Sequence, residues 1–344
     1  MGRKLKVLSL FSGIGAPEKA LERLNIDYEL INYCEIDKYA SKSYSIIHNV
    51  SEDLNLGDIT KIDIDKLRDF DLLTHGSPCQ SFSMLGKGEG GDEGSNTKSS
   101  LMWNTVEIIK HKKPKYVIWE NVKGVLAKKH KHNFDKYIDS LNKLGYTSHY
   151  KILNAKDFGI PQNRDRIFVI SILGENDEFN FPTGIKLKKK LKDFLEDKVD
   201  DKYYLKKTKD FFIKNSLDME SRRNGFRFSP HVKNNANIAH CIITKAGSRM
   251  DDNFILDIPS NKLKYEFSLA SGNKEFLDEK WVKNLKIRKL TPKECWRLMG
   301  FDDLDVEKCI DANISNTQLY KQAGNSIVVN VLEAIFRNLL LNNI

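Results

Sequence analysis

Through the first half of the chain, short runs of apolar residues alternate with stretches whose apolar positions recur every three to four residues. Residues 6–11, 28–35, 71–76, 116–120 and 166–172 are apolar runs of strand length, and their continuity predicts strands buried on both faces. Between them, residues 16–25, 37–48, 101–112 and 134–144 carry helical periodicity. Strands alternating with helices predict an α/β fold, with a mostly parallel sheet covered by helices on both faces. From about Phe181 the pattern breaks: Lys186-Leu187-Lys188-Lys189-Lys190 opens a highly charged stretch, and regular alternation does not return before Lys286. That break predicts a smaller second domain. Order resumes at Thr291-Pro292-Lys293-Glu294, where Thr can cap a helix, Pro fits its first turn and Glu reaches back. Val328, Val329, Leu332, Ile335, Phe336 and Leu339 then line one helix face that must pack on something, most simply the early sheet. The predicted organisation is 1–180, 181–286, and a segment 287–344 that returns to the first domain.

Composition adds bounds. The 344 residues suit one large and one smaller domain, and a content of 40% hydrophobic and 30% charged residues supports a real core. Fifty-six basic against 47 acidic residues leave a net charge of +9, which points mildly to a polyanionic partner such as nucleic acid. The apolar run at the N-terminus stops at Phe11-Ser12-Gly13-Ile14-Gly15, too soon for a signal core, and no stretch of about 18 uncharged apolar residues suggests a membrane span. Cys34, Cys79, Cys241, Cys295 and Cys309 are odd in number and include no close pair. Reduced thiols in a cytoplasmic protein without a zinc site are therefore expected.

Four features carry candidate chemistry. Phe11-Ser12-Gly13-Ile14-Gly15 follows a strand and opens a helix, a place where glycines let the backbone approach a ligand, although a tight turn alone explains them too. Glu35, at the end of the second strand, can accept hydrogen bonds from both ribose hydroxyls of a nucleoside cofactor. Glu18 stands where a dinucleotide fingerprint would have its third glycine, which weakens a pyrophosphate reading. Gly76-Ser77-Pro78-Cys79-Gln80 places Cys79 beyond a strand end, as an exposed nucleophile or as a small buried hydrophobe. The loop over 80–98, rich in Gly and Ser, reads as an active-site lid. Glu120 ends a strand beside apolar neighbours, either as a proton donor with a raised pKa or as a solvated carboxylate. Arg164 and Arg166, at i and i+2, point the same way if extended, towards an anion or a carbonyl oxygen.

Taken in order with Arg288-Lys289-Leu290-Thr291-Pro292-Lys293-Glu294-Cys295 and Gln322-Ala323-Gly324-Asn325-Ser326, these motifs make the chain resemble the bacterial and phage cytosine carbon-5 DNA methyltransferases, from Leu5 to Val331. The resemblance implies a Rossmann-like S-adenosylmethionine-dependent methyltransferase sheet with a smaller, mostly irregular and β target-recognition domain. It implies that Cys79 adds to carbon 6 of a cytosine, that Glu120 supports ring nitrogen 3, and that Arg166, backed by Arg164, contacts the carbonyl oxygen. For the methyl donor it implies that Phe11, Gly13, Ile14 and Gly15 cradle the methionine part and that Glu35 holds the ribose. Ile36 would pack on adenine, and Asp58 would meet its amine with Ile59 on the ring. Gly76, Pro78, Leu101, Asn325, Ser326 and Ile327 would line the rest of the pocket.

The base must leave the duplex to react, so the 80–98 loop would close over it, with Gln80, Ser81 or Ser83 near the vacated space. Arg222, Arg223, Arg227, Lys245 and Arg249 are available for phosphate or guanine, and the strand and turn from Ile242 through Thr244 to Gly247 would approach the major groove. The implied partner is double-stranded DNA, with S-adenosylhomocysteine as product and no metal. The implied setting is a monomer in a prokaryotic cytoplasm or a phage host, with room for a cognate restriction endonuclease acting separately. Ala16 and Ile36 depart from the family's common glycine and aromatic, and Lys98 from its common arginine. A tRNA methyltransferase would carry a Cys-Phe-Thr tripeptide, which is not found here. A non-catalytic DNA-binding relative would have broken motifs, and a nicotinamide oxidoreductase leaves Pro78-Cys79-Gln80 unexplained.

Overall fold

Every apolar run read from the sequence is a strand in the computed structural model of the protein, which describes residues 3–78, 91–95, 97–174, 178–205, 231–233, 236–249, 252–257 and 286–341. The runs form β1 (Leu5–Leu10), β2 (Tyr28–Cys34), β3 (Leu72–His75), β4 (Tyr116–Val122) and β6 (Asp165–Leu173). A sixth strand, β5 (Tyr146–Asn154), gives no apolar run because it forms the sheet's edge, where Tyr150 and Ile152 are exposed. The intervening helices are α1 (Ala16–Arg23), α2 (Lys38–His48), α3 (Met102–Lys112) and α4 (Lys131–Lys143). Strand order is β2-β1-β3-β4-β6-β5, parallel from β2 to β4 and antiparallel at β4–β6 and β6–β5. The chain leaves β1 in one direction along the sheet and returns on its other side, so β1 and β3 flank a topological switch point. Open α/β sheets place ligands in the crevice beyond the strand ends there.

The two faces of the sheet bury separate cores because side chains alternate along each strand. Leu8, Leu10, Leu73, Val117, Trp119, Ile167 and Val169 face α3 and α4. Val7, Leu72, Ile118, Phe168, Ile170 and Ile172 face α1 and the C-terminal helices. Those helices are α5 (Pro292–Arg297), α6 (Asp303–Asp311), α7 (Asn316–Asn325) and α8 (Val329–Phe336). At the start of α5 the expected reciprocal cap is present: Thr291 Oγ1 accepts from Glu294 N at 3.1 Å, and Glu294 Oε2 accepts from Thr291 N at 2.8 Å. Glu294, wholly buried, also takes both terminal nitrogens of Arg288 at 2.8 Å, so its charge is paired. The apolar face of α8 packs against α1, and Lys19 and Arg23 of α1 reach Asp302 at 2.9 and 2.8 Å. The stretch Asn316–Leu341 is long and apolar enough to cross a membrane by composition. It breaks after Asn325, and Leu319, Ala323, Val329, Leu332, Ile335 and Phe336 all point into the core.

The described part of 181–286 is irregular, with short helical turns and a small sheet of β7 (His231–Val232), β8 (Phe254–Asp257) and β9 (Lys286–Lys289). Leu191, Ala236, Ala239, Ile242 and Ile255 share the core of the C-terminal helices. The sequence suggested a strand entering the turn at Thr244. The turn is there, but 241–243 are not a strand. A side-chain stitch takes the place of a ladder: buried Gln162 accepts from Ile242 N at 2.9 Å and donates to Leu298 O at 2.7 Å. Gly324 lies against this segment so closely that a Cβ would stand 2.4 Å from Thr244 N and 2.5 Å from the Ile243 carbonyl carbon. Backbone cannot swing aside as a side chain can, so Gly324→Ala is expected to cost about 1–3 kcal/mol, read as a lowered midpoint in chemical denaturation.

Candidate active site

The face of the sheet that carries α1 and α8 changes character at one edge, formed by the carboxyl ends of β1, β3 and β4 and the amino end of antiparallel β6. Ser9, Thr74, Gly76, Glu120 and Arg166 follow the apolar Val7, Leu72, Ile118 and Phe168 on that face by strand alternation. Ser9 and Thr74 bond to each other through their hydroxyls at 3.1 Å. Glu120 is paired across β4 and β6 with Phe168, so Arg166 is its diagonal neighbour, close enough for long side chains to meet. Arg166 Nε lies 3.1 Å from Glu120 Oε1. A cleft of about 400 Å³ opens here, lined by Phe11, Gly13, Gly76, Glu120, Asn325, Ser326 and Ile327 together with Ser9, Thr74 and His75. Seven residues singled out from the sequence thus meet in one cavity, although some 200 positions separate Glu120 from Asn325.

The remaining described candidates do not line it, although Glu35 bonds to Gly13, which does. Glu35 takes Gly13 N at 2.9 Å on one carboxylate oxygen and Asp37 N at 2.8 Å on the other, which leaves lone pairs on both oxygens. Ile36, which follows it, is 76% exposed, an unusual position for a large aliphatic side chain. Asp58 accepts from Thr60 N and Oγ1 at 3.0 and 2.8 Å, and Ile59 is buried. Ile14 is in the core, and Gly15, at φ 77°, starts α1. Leu101 precedes α3, and the Pro78 carbonyl accepts from Ser99 Oγ at 2.8 Å, which fixes one end of the loop against the turn that follows it. Where that loop returns, Gly91 O accepts from Trp103 Nε1 and Asp92 from His132 and Asn133. Cys79, Gln80, Ser81, Ser83, Arg222, Arg223 and Arg227 lie outside the described residues. Thr244 and Lys245 are exposed on the turn beside Gly324, with Arg249 half-buried nearby.

Sequence reading passed over several positioning groups. Asn55 accepts from Glu35 N and Gly57 N and donates to Glu35 O, so one amide sets both the Glu35 and the Gly57 loops. Asn121 and Trp119 both donate to Ser77, which holds the turn leading to Pro78. Their signal was present in position, immediately beside the motifs, but Asn and Ser in turns are too common to stand out.

Electrostatics sharpen the site. Burial pushes the Glu120 carboxyl above the usual carboxylate range, against the pull of Arg166 and Arg164. Arg164 is only 4% exposed and donates to Ile242 O at 3.0 Å, Gly324 O at 3.1 Å and Ser326 O at 2.8 Å, so it joins three parts of the chain. Cys241 lies 3.3 Å from Arg164 and 4.0 Å from Arg166. Burial raises its thiol pKa, but the two guanidinium groups outweigh that and hold it below its ordinary value. Burial drives His75, bonded to Tyr137 at 2.9 Å, down to about 3, so this ring is neutral and structural. Among the described residues no cluster of His, Cys, Asp or Glu could hold a metal ion.

A parallel-dominated sheet with a cleft at its switch point, a carboxylate just past the end of β2 and a carboxyl–guanidinium pair beside the cleft match the Rossmann-like, S-adenosylmethionine-dependent type of methyltransferase. The chain belongs to the C-5 cytosine-specific DNA methylases, the DNA (cytosine-5-)-methyltransferases, whose family model matches residues 5–341. It is 34% identical to the orphan methyltransferase M.SPRI of Bacillus phage SPR, covering 98% of both chains. It is 36% identical to the type II methyltransferase M2.ScrFI of Lactococcus lactis subsp. cremoris, covering 97% of this chain and 99% of that one. Among solved structures, the Entamoeba histolytica methyltransferase EhMeth shares its fold with a TM-score of 0.76 at 20% identity, covering 100% of both chains.

Proposed function

We propose that the protein methylates carbon 5 of a cytosine turned out of duplex DNA, through a transient bond from Cys79, with S-adenosylmethionine as donor. The observation that carries the reading is buried Glu120, paired with Arg166, in a cleft also lined by Gly76, two residues before Pro78 and three before Cys79. The residues present suit the donor. Glu35 has carboxylate lone pairs left for two ribose hydroxyls, exposed Ile36 offers a flat apolar contact for adenine, and Phe11, Gly13 and Ser326 border space for the methionine part. When bound, S-adenosylmethionine supplies an electrophilic methyl group on sulfur.

The chain's own groups do the rest. The Cys79 thiolate forms a bond to carbon 6 while the carbon 5–carbon 6 double bond shifts its electrons into the ring. Glu120, whose carboxyl burial keeps protonated more readily, donates to ring nitrogen 3 and stabilises the charge that develops there. Arg166 faces the carbonyl oxygen, and Arg164 fixes its surroundings. Carbon 5 would then take the methyl group as its bond to the donor sulfur breaks, leaving S-adenosylhomocysteine; the carbon-5 proton leaves to a base, ring nitrogen 3 returns its proton to Glu120, and the thiolate is expelled as the double bond reforms. Glu120→Gln, which can no longer deliver a proton, is expected to slow single-turnover methylation about 100-fold with donor affinity unchanged.

Base extrusion costs a few kcal/mol, and we assign its support to the loop over 80–98 with Gln80, Ser81 and Ser83. The segment 181–286, with Thr244, Lys245, Arg249 and Arg227, reads the site in this account, and 287–344 completes the catalytic domain. Exposure of Thr244 and Lys245 beside the catalytic segment supports that assignment. The type II and orphan phage enzymes among its relatives support a role as the modification partner of a separate nuclease or in phage self-protection, and in this account the enzyme works as a monomer in the cytoplasm. Bisulfite sequencing of plasmid DNA from cells making the protein tests the reading. Protected cytosines within one short recurring sequence are expected, and unmarked DNA at full expression would overturn it.

A further inference from the structure

Beneath the cofactor turn lies a histidine that the reaction as derived does not use. The His48 side chain is 0% exposed at the end of α2. Its Nδ1 is 2.8 Å from Glu22 Oε1 and its Nε2 is 3.2 Å from the Ile14 carbonyl. A carboxylate and a carbonyl are both acceptors, so the ring can satisfy both contacts only with a proton on each nitrogen. The fit is close: a Cβ on Gly15 would stand 2.1 Å from Nε2, so the turn and the ring occupy adjoining space with no slack.

Other ionisable groups face the ring from each packed element. From α1 come Glu22 and the wholly buried Glu18, neither of whose oxygens has a hydrogen-bond partner although Ser9 and Tyr44 face it. Lys19, also of α1, interacts with Glu22. From α2 the Tyr44 ring lies 4.8 Å away by centroids, and from β2 the Tyr28 hydroxyl donates to Glu22 at 3.3 Å. Burial raises the Glu18 carboxyl against the pull of His48, whereas at Glu22 the bond to His48 outweighs burial and holds the carboxyl below its ordinary value. Burial by itself would strip the His48 proton, but Glu22, Glu18 and the Ile14 carbonyl outweigh it and hold the ring above its ordinary pKa.

We propose that His48 is a positioning residue for donor binding: as an imidazolium wedged under Ile14 and Gly15, it holds their backbone in the shape that receives S-adenosylmethionine, and affinity falls when the ring is neutral. This rests on the reading that the Phe11–Gly15 turn holds the donor. The neutral ring must give up either the Glu22 or the Ile14 contact, and the second is the one that shapes the turn. Since folding favours the charged ring, the benefit is complete at lower pH and is lost as pH rises through the raised value, above the ordinary histidine range.

Two measurements on the full chain test this. Calorimetric binding of S-adenosylmethionine between about pH 6 and pH 9 is expected to weaken about tenfold across the His48 titration, the loss of one charge-assisted hydrogen bond. His48→Gln is expected to bind about tenfold more weakly at the acid end. It would keep only the dependence that the ligand's own ammonium group imposes on both proteins. Nitrogen-15 histidine spectra of the unaltered protein give a readout independent of the variant's folding. By reciprocity, saturating donor must raise the proton affinity of His48 by the same factor of about ten. A neutral His48 ring at pH 7, or a donor that leaves its titration unmoved, overturns the proposal while the cofactor reading stands. A charged His48 with no donor binding at any pH refutes the cofactor reading and this inference with it.

Discussion

Cys79→Ser is expected to abolish methyl transfer, a loss on the order of 10⁴-fold or more, while donor binding persists. The physical ground is nucleophilicity. A thiol gives up its proton within reach of neutral pH, whereas a serine hydroxyl does not, and nothing else in the motif could attack carbon 6. Serine differs by one atom and keeps the Pro78–Gln80 backbone, so stability should not change. The comparison is made by tritium transfer to plasmid DNA alongside calorimetric binding of the donor. Turnover within tenfold of the unaltered enzyme would mean that the sulfur is not the nucleophile.

Arg164→Met is expected to cost about 3–5 kcal/mol of stability, because it leaves buried groups without their partner. The Ile242, Gly324 and Ser326 carbonyls each lose a donor, and the two chain segments they belong to lose their common link to the start of β6. Lysine would keep the charge but present a point instead of a planar fork, so Arg164→Lys should recover only part of the loss. Chemical denaturation measures both. A methionine variant as stable as the parent would show that Arg164 acts on substrate rather than on the fold.

The residues that the sequence made legible are those whose chemistry leaves a local trace. Apolar runs located five of the six strands of the larger sheet, and the glycine turn after β1, Glu35 and Glu120 stood at or near strand ends, where open sheets place their chemistry. The edge strand β5 was missed because one partner suffices for an edge, so its outer face need not be apolar. The return of Asn325, Ser326 and Ile327 to the cleft was legible only through family resemblance, since periodicity says which face of a helix is buried and not what it is buried against. His48, Asn55 and Asn121 act through hydrogen bonds to backbone in other segments, and no spacing rule reports a contact between residues 26 or 34 positions apart. Ser9 and Thr74 did interrupt apolar strands and could have flagged the polar end of the face.

The bond from Cys79 to carbon 6 is the claim on which the account depends. Duplex DNA carrying 5-fluorocytosine in the recognised sequence blocks the last step, because fluorine cannot leave carbon 5 as a proton does. Incubated with enzyme and S-adenosylmethionine, it should yield a denaturation-resistant complex whose crosslinked peptide, by mass spectrometry, joins DNA to Cys79 and bears one added methyl group on the base. Methylation of ordinary DNA in the same sequence with no such complex, or a crosslink at another residue, would contradict the account.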